Sequence, residues 1–238
     1  MTDFTETVFT APSERIERFS SLVRAFVQDT GTLRVLDIGC GTGSQILNLG
    51  TVLYDASFLG IDISAANIEQ ARRNAENSSF SGRINFEHAD YMAFSSPPYD
   101  VVIADSCIQW IEGDSGEIIR KIATDIKPGG LLFLTAPVEC LFNDLLIGMR
   151  KALRALRGSF TDWIILATAR LLHGRRHDAE FLRQRVSYMY WIPYRLWGDG
   201  LRTDFLNDGL FKVELEQPLP HASLGQPKHC MTVLRRNA

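Results

Sequence analysis

Val35-Leu36-Asp37-Ile38-Gly39-Cys40-Gly41-Thr42-Gly43 carries the clearest architectural signal in the chain. Leu33–Ile38 is a short apolar run, and three glycines follow at every second position. This reads as a first parallel strand, a glycine loop and a helix from about Ser44. Such a loop lets backbone approach a ligand closely, because no Cβ intervenes. The helix start that follows adds free N–H donors. A dinucleotide-binding turn has the spacing G-x-G-x-x-G. Here the third glycine arrives one position early, giving G-x-G-x-G.

Residues 13–28 carry Ile16, Phe19, Leu22, Val23 and Phe26 at helical spacing, closed by Thr30-Gly31. Past the loop, strands are expected over Ser57–Ile61, Ile84–His88, Asp100–Asp105 and Leu131–Thr135. They alternate with helices, one capped by Ser64 and running to about Asn77, another over Glu117–Ile126 and stopped by Pro128-Gly129-Gly130. Five strands in this rhythm imply an α/β fold, a doubly wound parallel sheet with helices on both faces. Phe211–Glu216 and Cys230–Leu234 alternate apolar and polar residues and read as a terminal strand pair with an antiparallel edge. That makes seven strands, the last antiparallel. About 70 residues separate strand five from Phe211, with helical pattern at 141–157, 160–173 and 178–187. Insertions of this length usually form lids or substrate-binding elements. The expectation is therefore a single domain over 1–238: an N-terminal helical lid (1–30), a cofactor-binding half (31–137), a helical insertion acting as substrate lid (138–198), and a last helix with the terminal strand pair (199–238).

The chain has 238 residues, a net charge of −3, 45% hydrophobic and 22% charged residues. This excludes a disordered or collagen-like chain and argues against a dedicated nucleic-acid binder. Cys40, Cys107, Cys140 and Cys230 form no C-x-x-C pair, so no metal site is expected and reduced thiols in the cytoplasm are the simplest reading. Met1–Thr10 carries Asp3 and Glu6 and no apolar core, unlike a signal peptide. The longest uncharged apolar run, near Trp163–Ala169, falls far short of the roughly 20 residues that span a bilayer.

From Leu33 to Pro137 the chain resembles the class I S-adenosylmethionine-dependent methyltransferases, and more weakly again at the last two strands. Asp37–Gly43 matches the family's first motif, Gly60-Ile61-Asp62-Ile63-Ser64 the acidic end of strand two, and His88-Ala89-Asp90-Tyr91 the third motif. Asp100–Ile111 matches strand four and its loop, and Lys127-Pro128-Gly129-Gly130 the turn before strand five. The resemblance implies a Rossmann-like fold with S-adenosyl-L-methionine as cofactor and S-adenosyl-L-homocysteine as product. It places Gly39 and Gly41 beside the methionine part, with Cys40 inside the loop and without thiol chemistry. Asp62 would accept from the ribose hydroxyls, with Ile63 next to it. Asp90 would accept from the adenine amino group, and the Tyr91 N–H would face a ring nitrogen. The Asp105 carbonyl and Ser106 would hold the ammonium, and Asp37 would orient the loop or that ammonium. Gln109-Trp110 falls where the family often has a pair beside the transferred methyl; Trp110 either walls the site or packs under the lid.

Pro97-Pro98-Tyr99 imitates a nitrogen-methylation motif, but it precedes strand four and has Ser96 where Asn or Asp is needed. It reads as a rigid strand start. Tyr188–Trp197 is densely aromatic, with Tyr190 and Tyr194 as candidate acceptor contacts. It either clamps the lid to the sheet or lines a pocket for an aromatic or lipid-like acceptor. His173, His177, His221 and His229 are candidate bases, with His88 assigned to strand three; no position selects one, so the catalytic residue is unknown. Residues 150–202 hold 11 Lys and Arg against 4 Asp and Glu, net +7, and the rest of the chain nets −10. This basic stretch is either a solvated face or a contact for an anionic substrate, a carrier protein or a membrane surface. The activity implied is methyl transfer to oxygen or nitrogen of a small or medium-sized metabolite, without nucleic acid. The alternatives are an RNA or protein methyltransferase and a catalytically inactive cofactor-binding partner. A nicotinamide dehydrogenase is disfavoured by the early third glycine.

Overall fold

The computed structural model describes residues 13–27, 32–76, 78–173, 179–184, 186–220 and 225–238. The expected helix stop at Thr30-Gly31 and the candidate bases His177 and His221 lie outside these residues. Along the chain come α1 (Ser13–Phe26), β1 (Arg34–Ile38), α2 (Ser44–Gly50), β2 (Ser57–Asp62), α3 (Ala65–Glu76), β3 (Ile84–His88) and β4 (Tyr99–Asp105). There follow α4 (Ser115–Asp125), β5 (Ile126–Pro137), α5 (Leu141–Ala155), α6 (Ser159–His173), α7 (Ala179–Gln184), α8 (Asp199–Leu206), β6 (Phe211–Pro218) and β7 (His229–Arg236). Short 3-10 turns occupy Ile108–Trp110 and Val186–Tyr190.

The seven strands form one sheet in the order β3-β2-β1-β4-β5-β7-β6. β1 to β5 pair in parallel, whereas β7 runs antiparallel to both β5 and β6. The terminal pair thus closes this side of the sheet with an antiparallel edge, as the alternation suggests, β7 being its inner member. β7 is inside the sheet because Cys230–Leu234 is buried, while β6 takes the rim with Lys212, Glu214 and Glu216 spaced along it. Charged residues protect such a rim from further pairing. Strand order reverses between β1 and β4, and in open α/β sheets the crevice beyond the strand C-termini at that point is where ligands bind.

β5 differs from expectation. Lys127-Pro128-Gly129-Gly130 does not precede the strand but lies within it, as a register shift between Tyr99↔Ile126 and Val101↔Leu131. Gly129 adopts φ 78°, and Lys127 Nζ bonds both oxygens of Asp100 at 2.8 and 2.9 Å, so the irregular stretch is pinned to β4. Pro97-Pro98 sits at the opposite end of β4 from the glycine loop, where Arg34 donates to both proline carbonyls at 3.0 and 3.1 Å.

Alternation along β1 feeds two cores. Leu36 and Ile38 pack with Val102, Ile118, Ile122 and Phe205 on the α4 and α8 face. Val35 packs with Phe19, Ile46, Phe58, Ile68 and Phe133 on the α1, α2 and α3 face. Each large apolar side chain buried this way contributes roughly 1.5–3 kcal/mol.

Three polar side chains fix the insertion to this frame. Asn143 donates to the carbonyls of Val138 (2.7 Å) and Lys228 (2.9 Å) and accepts from the Lys228 N–H (2.8 Å). Arg150 donates to the carbonyls of Trp191 (2.9 Å) and Gly225 (3.0 Å). Arg195 donates to the carbonyls of Ile108 (2.9 Å), Ile111 and Gly113 (2.8 Å).

Candidate functional site

Gly39, Gly41 and Gly43 all have positive φ, at 66°, 54° and 76°. A Cβ on Gly39 would stand 2.7 Å from Cys107 Cβ, and one on Gly43 would stand 2.5 Å from Phe86 Cζ. The loop therefore needs glycine both for its left-handed turns and for its packing on β3 and the segment after β4. The Cys40 N–H donates to the Ile61 carbonyl at 3.0 Å, tying the loop to β2. Burial pushes the Cys40 and Cys107 thiols up, with Asp37 adding to both, so both stay protonated.

Three aspartates converge beneath the loop. Asp37, on β1, is fully enclosed; burial raises its carboxyl well above the usual range, and the charges of Asp105 and Asp62 raise it further. Asp62, at the end of β2, accepts from the Gly41 N–H (2.9 Å), the Ser64 N–H (2.8 Å) and the Asn67 amide (3.2 Å). Its carboxylate thus fastens the loop to the start of α3 before any ligand is considered. Asp105, at the end of β4, accepts from Thr135 Oγ1 at 2.5 Å and from the Arg15 guanidinium. Ser106 is the one non-glycine residue with positive φ, 55°, among the described residues. Its N–H donates to the Thr135 carbonyl at 3.1 Å. Backbone strain of this kind tends to gather at functional sites.

Arg15 was not signalled by the sequence: one basic residue in an amphipathic helix carries no pattern. It projects from α1 to Asp105, to Ser106 Oγ (2.5 Å) and to Thr135 Oγ1 (2.8 Å). The carboxylate cluster thus already holds one cation, supplied by the N-terminal helix.

At the β2–β3 rim, the Ile63 side chain is exposed and its carbonyl lies 3.0 Å from His88 Nε2. Asp90 accepts from the Met92 N–H at 2.9 Å and remains solvent-facing. Tyr91 differs from its neighbours, since its side chain lies in the core with Lys121 Nζ 4.8 Å from the ring centre. Burial, then Asp125, pushes its phenol upward. Any contact from Tyr91 to a ligand rests on its main chain.

The acceptor-side residues divide. Gln109 is buried, and its amide N–H donates to the Ser106 carbonyl at 2.9 Å, so it braces the strained residue. Trp110 packs edge-on against Trp191, ring centres 5.9 Å apart, and Trp191 packs on Tyr188 at 4.0 Å, which places Trp110 under the insertion. Tyr190 turns away: its hydroxyl donates to Asp162 of α6 at 2.5 Å and Arg157 lies over its ring. It acts as a clamp, and burial with the Asp162 bond pushes its phenol up to about 12. Tyr194 is half-exposed; its N–H donates to the Gln109 carbonyl (2.9 Å) and its hydroxyl to Glu112 (2.6 Å). It lines an open groove of about 460 Å³ with Asp144, Ile147, Lys151 and Leu201.

Among the candidate bases, His229 pairs with Pro137 at the site end of β5, where the charges of Arg15 and Asp105 act on it. Burial, then Arg15 and Arg150, lowers its pKa to about 4. Its Nδ1 lies 2.8 Å from the Pro227 carbonyl. Among the described residues, no group of three or more His, Cys, Asp or Glu is placed to hold a metal ion.

A family model described as a methyltransferase domain matches residues 29–168, more than half of the chain. The ubiquinone biosynthesis O-methyltransferase of Chelativorans sp. (strain BNC1) is 37% identical over 102 residues, covering 43% of this chain and 39% of that protein. The 27-O-demethylrifamycin SV methyltransferase of Amycolatopsis mediterranei (strain S699) is 36% identical over 103 residues, covering 42% and 37%. The matched stretch thus spans about two fifths of either relative's length. Among solved structures, the N-methyltransferase NodS from Bradyrhizobium japonicum WM9, in complex with S-adenosyl-l-homocysteine, shares the fold with a TM-score of 0.58 at 15% identity, covering 94% of this chain and 88% of that one.

Proposed function

The chain belongs to the family of methyltransferase domains, and we propose that it transfers a methyl group from S-adenosylmethionine to an oxygen or nitrogen of a small or medium-sized metabolite, of secondary-metabolite or lipid-like character. One observation carries this reading: Asp37, Asp62 and Asp105 converge on a left-handed glycine loop at the point where strand order reverses. A pyrophosphate would meet like charge there. A ligand carrying an ammonium and a sulfonium meets opposite charge. The Arg15 guanidinium on Asp105 and Ser106 supports the fit, because it is a cation held where the resemblance puts the ammonium.

The residues then take these parts. The Asp105 carbonyl and Ser106 receive the ammonium as Arg15 yields, and Asp37 holds the loop beneath it. Gly39, Cys40 and Gly41 give main-chain approach. Asp62 keeps the loop in place and uses its remaining acceptor capacity on the ribose, while Ile63 offers an apolar surface to adenine. Asp90 accepts from the amino group, and Tyr91 serves through its N–H. When bound, the cofactor supplies a methyl group already activated on sulfur. The chain's own work is to orient the acceptor and exclude water. Trp110, Trp191 and Tyr194 shape the acceptor side, with access through the groove beside Tyr194. The four free cysteines suit a reducing compartment, the cytoplasm.

Isothermal calorimetry with S-adenosylhomocysteine should show one site. Incubation with methyl-tritiated cofactor and a fractionated metabolite extract should put label in small molecules. Absence of cofactor binding overturns the reading, and label found in RNA or protein replaces its acceptor class.

A further inference from the structure

The insertion turns an unusual face outward. On α5 the exposed side chains include Leu141, Leu145 and Met149, with Leu156 at its C-terminal end, and on α6 Phe160, Trp163, Ile164 and Leu171. Each of these eight is at least 40% exposed. Their spacing of three, four or seven residues keeps them on one side of each helix. The rings of Phe160 and Trp163 stack at 6.2 Å with an interplanar angle of 17°. An apolar surface of this extent on two consecutive helices needs a partner.

Charge identifies the partner. Lys151, Arg154, Arg157 and Arg170 are exposed on the same two helices or the turn between them. The exposed carboxylate there is Asp144, since Asp162 is half-buried and holds the Tyr190 hydroxyl. Residues 150–202 net +7 against −10 for the rest. A second copy of this face would bring like charge against like charge. Large aliphatic groups with exposed Trp and Phe, flanked by Lys and Arg, are the composition of a helix that lies in a lipid headgroup layer. No helix among the described residues is long and apolar enough to cross a membrane, so such contact is peripheral.

We propose that the α5–α6 face docks on an anionic phospholipid surface. Docking brings the groove lined by Ile147, Lys151 and Tyr194, on the flank of α5, beside the bilayer, where an acceptor dissolved in lipid can enter. The docking itself does not depend on the methyl-transfer reading, because vesicle binding is measured without cofactor.

The test is co-sedimentation of the full chain with vesicles of phosphatidylcholine alone and of phosphatidylcholine with phosphatidylglycerol. Binding is expected on the anionic vesicles, weak on the neutral ones, and falling as salt rises. Because each basic side chain near an anionic surface is worth about fivefold in partitioning, R154E/R170E should lower it at least about tenfold. F160S/W163S should do the same at unchanged helical content and unchanged S-adenosylhomocysteine affinity. The proposal is overturned if the wild-type chain ignores anionic vesicles, or if both variants bind as well as it does. It is also overturned if F160S/W163S instead dissolves a self-associated dimer, or if the face captures an acidic protein and no vesicle.

Discussion

The carboxylate of Asp62 accepts a hydrogen bond from the Gly41 N–H at 2.9 Å, joining the end of β2 to the middle of the glycine loop. Its other oxygen accepts from Ser64 and Asn67. Asp62→Ala removes the acceptor of three buried hydrogen bonds. The expected loss in unfolding free energy is about 2–4 kcal/mol by urea titration, given roughly 1–3 kcal/mol for each unsatisfied group and partial relaxation. Affinity for S-adenosylhomocysteine should drop more than about tenfold in the same variant, as a kilocalorie or two of lost orientation implies. Unchanged affinity in a destabilised Asp62→Ala protein would mean that the residue serves the loop alone.

Arg15 on Asp105 gives a second expectation. Arg15→Met removes a partly exposed ion pair, which solvent screening reduces to about 1 kcal/mol of stability. It also removes the cation that competes for Asp105. The ligand-free protein should melt lower, yet gain more than wild type on adding S-adenosylmethionine. A smaller gain would instead assign the guanidinium to the ligand's carboxylate.

Two glycines separate conformational from packing cost. Gly43 and Gly129 have almost the same φ, 76° and 78°, but a Cβ on Gly43 would sit 2.5 Å from Phe86 while one on Gly129 meets nothing within 4 Å. Gly129→Ala should cost about 1–2 kcal/mol, the left-handed backbone term. Gly43→Ala should cost a further 1–3 kcal/mol or so from overpacking. Equal denaturation midpoints for the two variants would refute the role given to Phe86.

His229 predicts an acid limb of stability. Its pKa is lowered to about 4 in the fold by burial and by Arg15 and Arg150, against an ordinary value of 6.5. The unfolded chain therefore binds the proton first on acidification. The stability of the neutral form is fully present above about pH 6.5 and is lost progressively as pH falls toward 4. His229→Asn should flatten urea midpoints across that window. If wild type and variant fall in parallel, other groups govern the limb.

The half of the chain around the glycine loop was legible because its signals are local. Gly39-Cys40-Gly41-Thr42-Gly43 fixes a turn that its own backbone demands, and β3 spans Ile84–His88 as expected. What escaped the sequence depends on contacts between residues far apart. Arg15 meets Asp105 across 90 positions, and β7 enters the sheet interior because its apolar face finds β5, which no local pattern encodes. The side-chain directions of Tyr190 and Gln109 were illegible for a related reason. Aromatic or amide character marks a residue as useful at a site, but the direction of its side chain is set by partners such as Asp162 and the Ser106 carbonyl. Lys127-Pro128-Gly129-Gly130 reads as a turn by composition, and only the pairing with β4 draws it into a strand.

Asn143, Arg150 and Arg195 all grip main-chain carbonyls outside the insertion, at Lys228, Gly225, Ile108, Ile111 and Gly113. A carbonyl is the same whatever side chain its residue carries. The attachment of the insertion is thus indifferent to the amino acids at those five anchor points, and it constrains three positions of its own. The segment behaves as an exchangeable cassette: its outward surface can be rewritten while the sheet beneath keeps its shape.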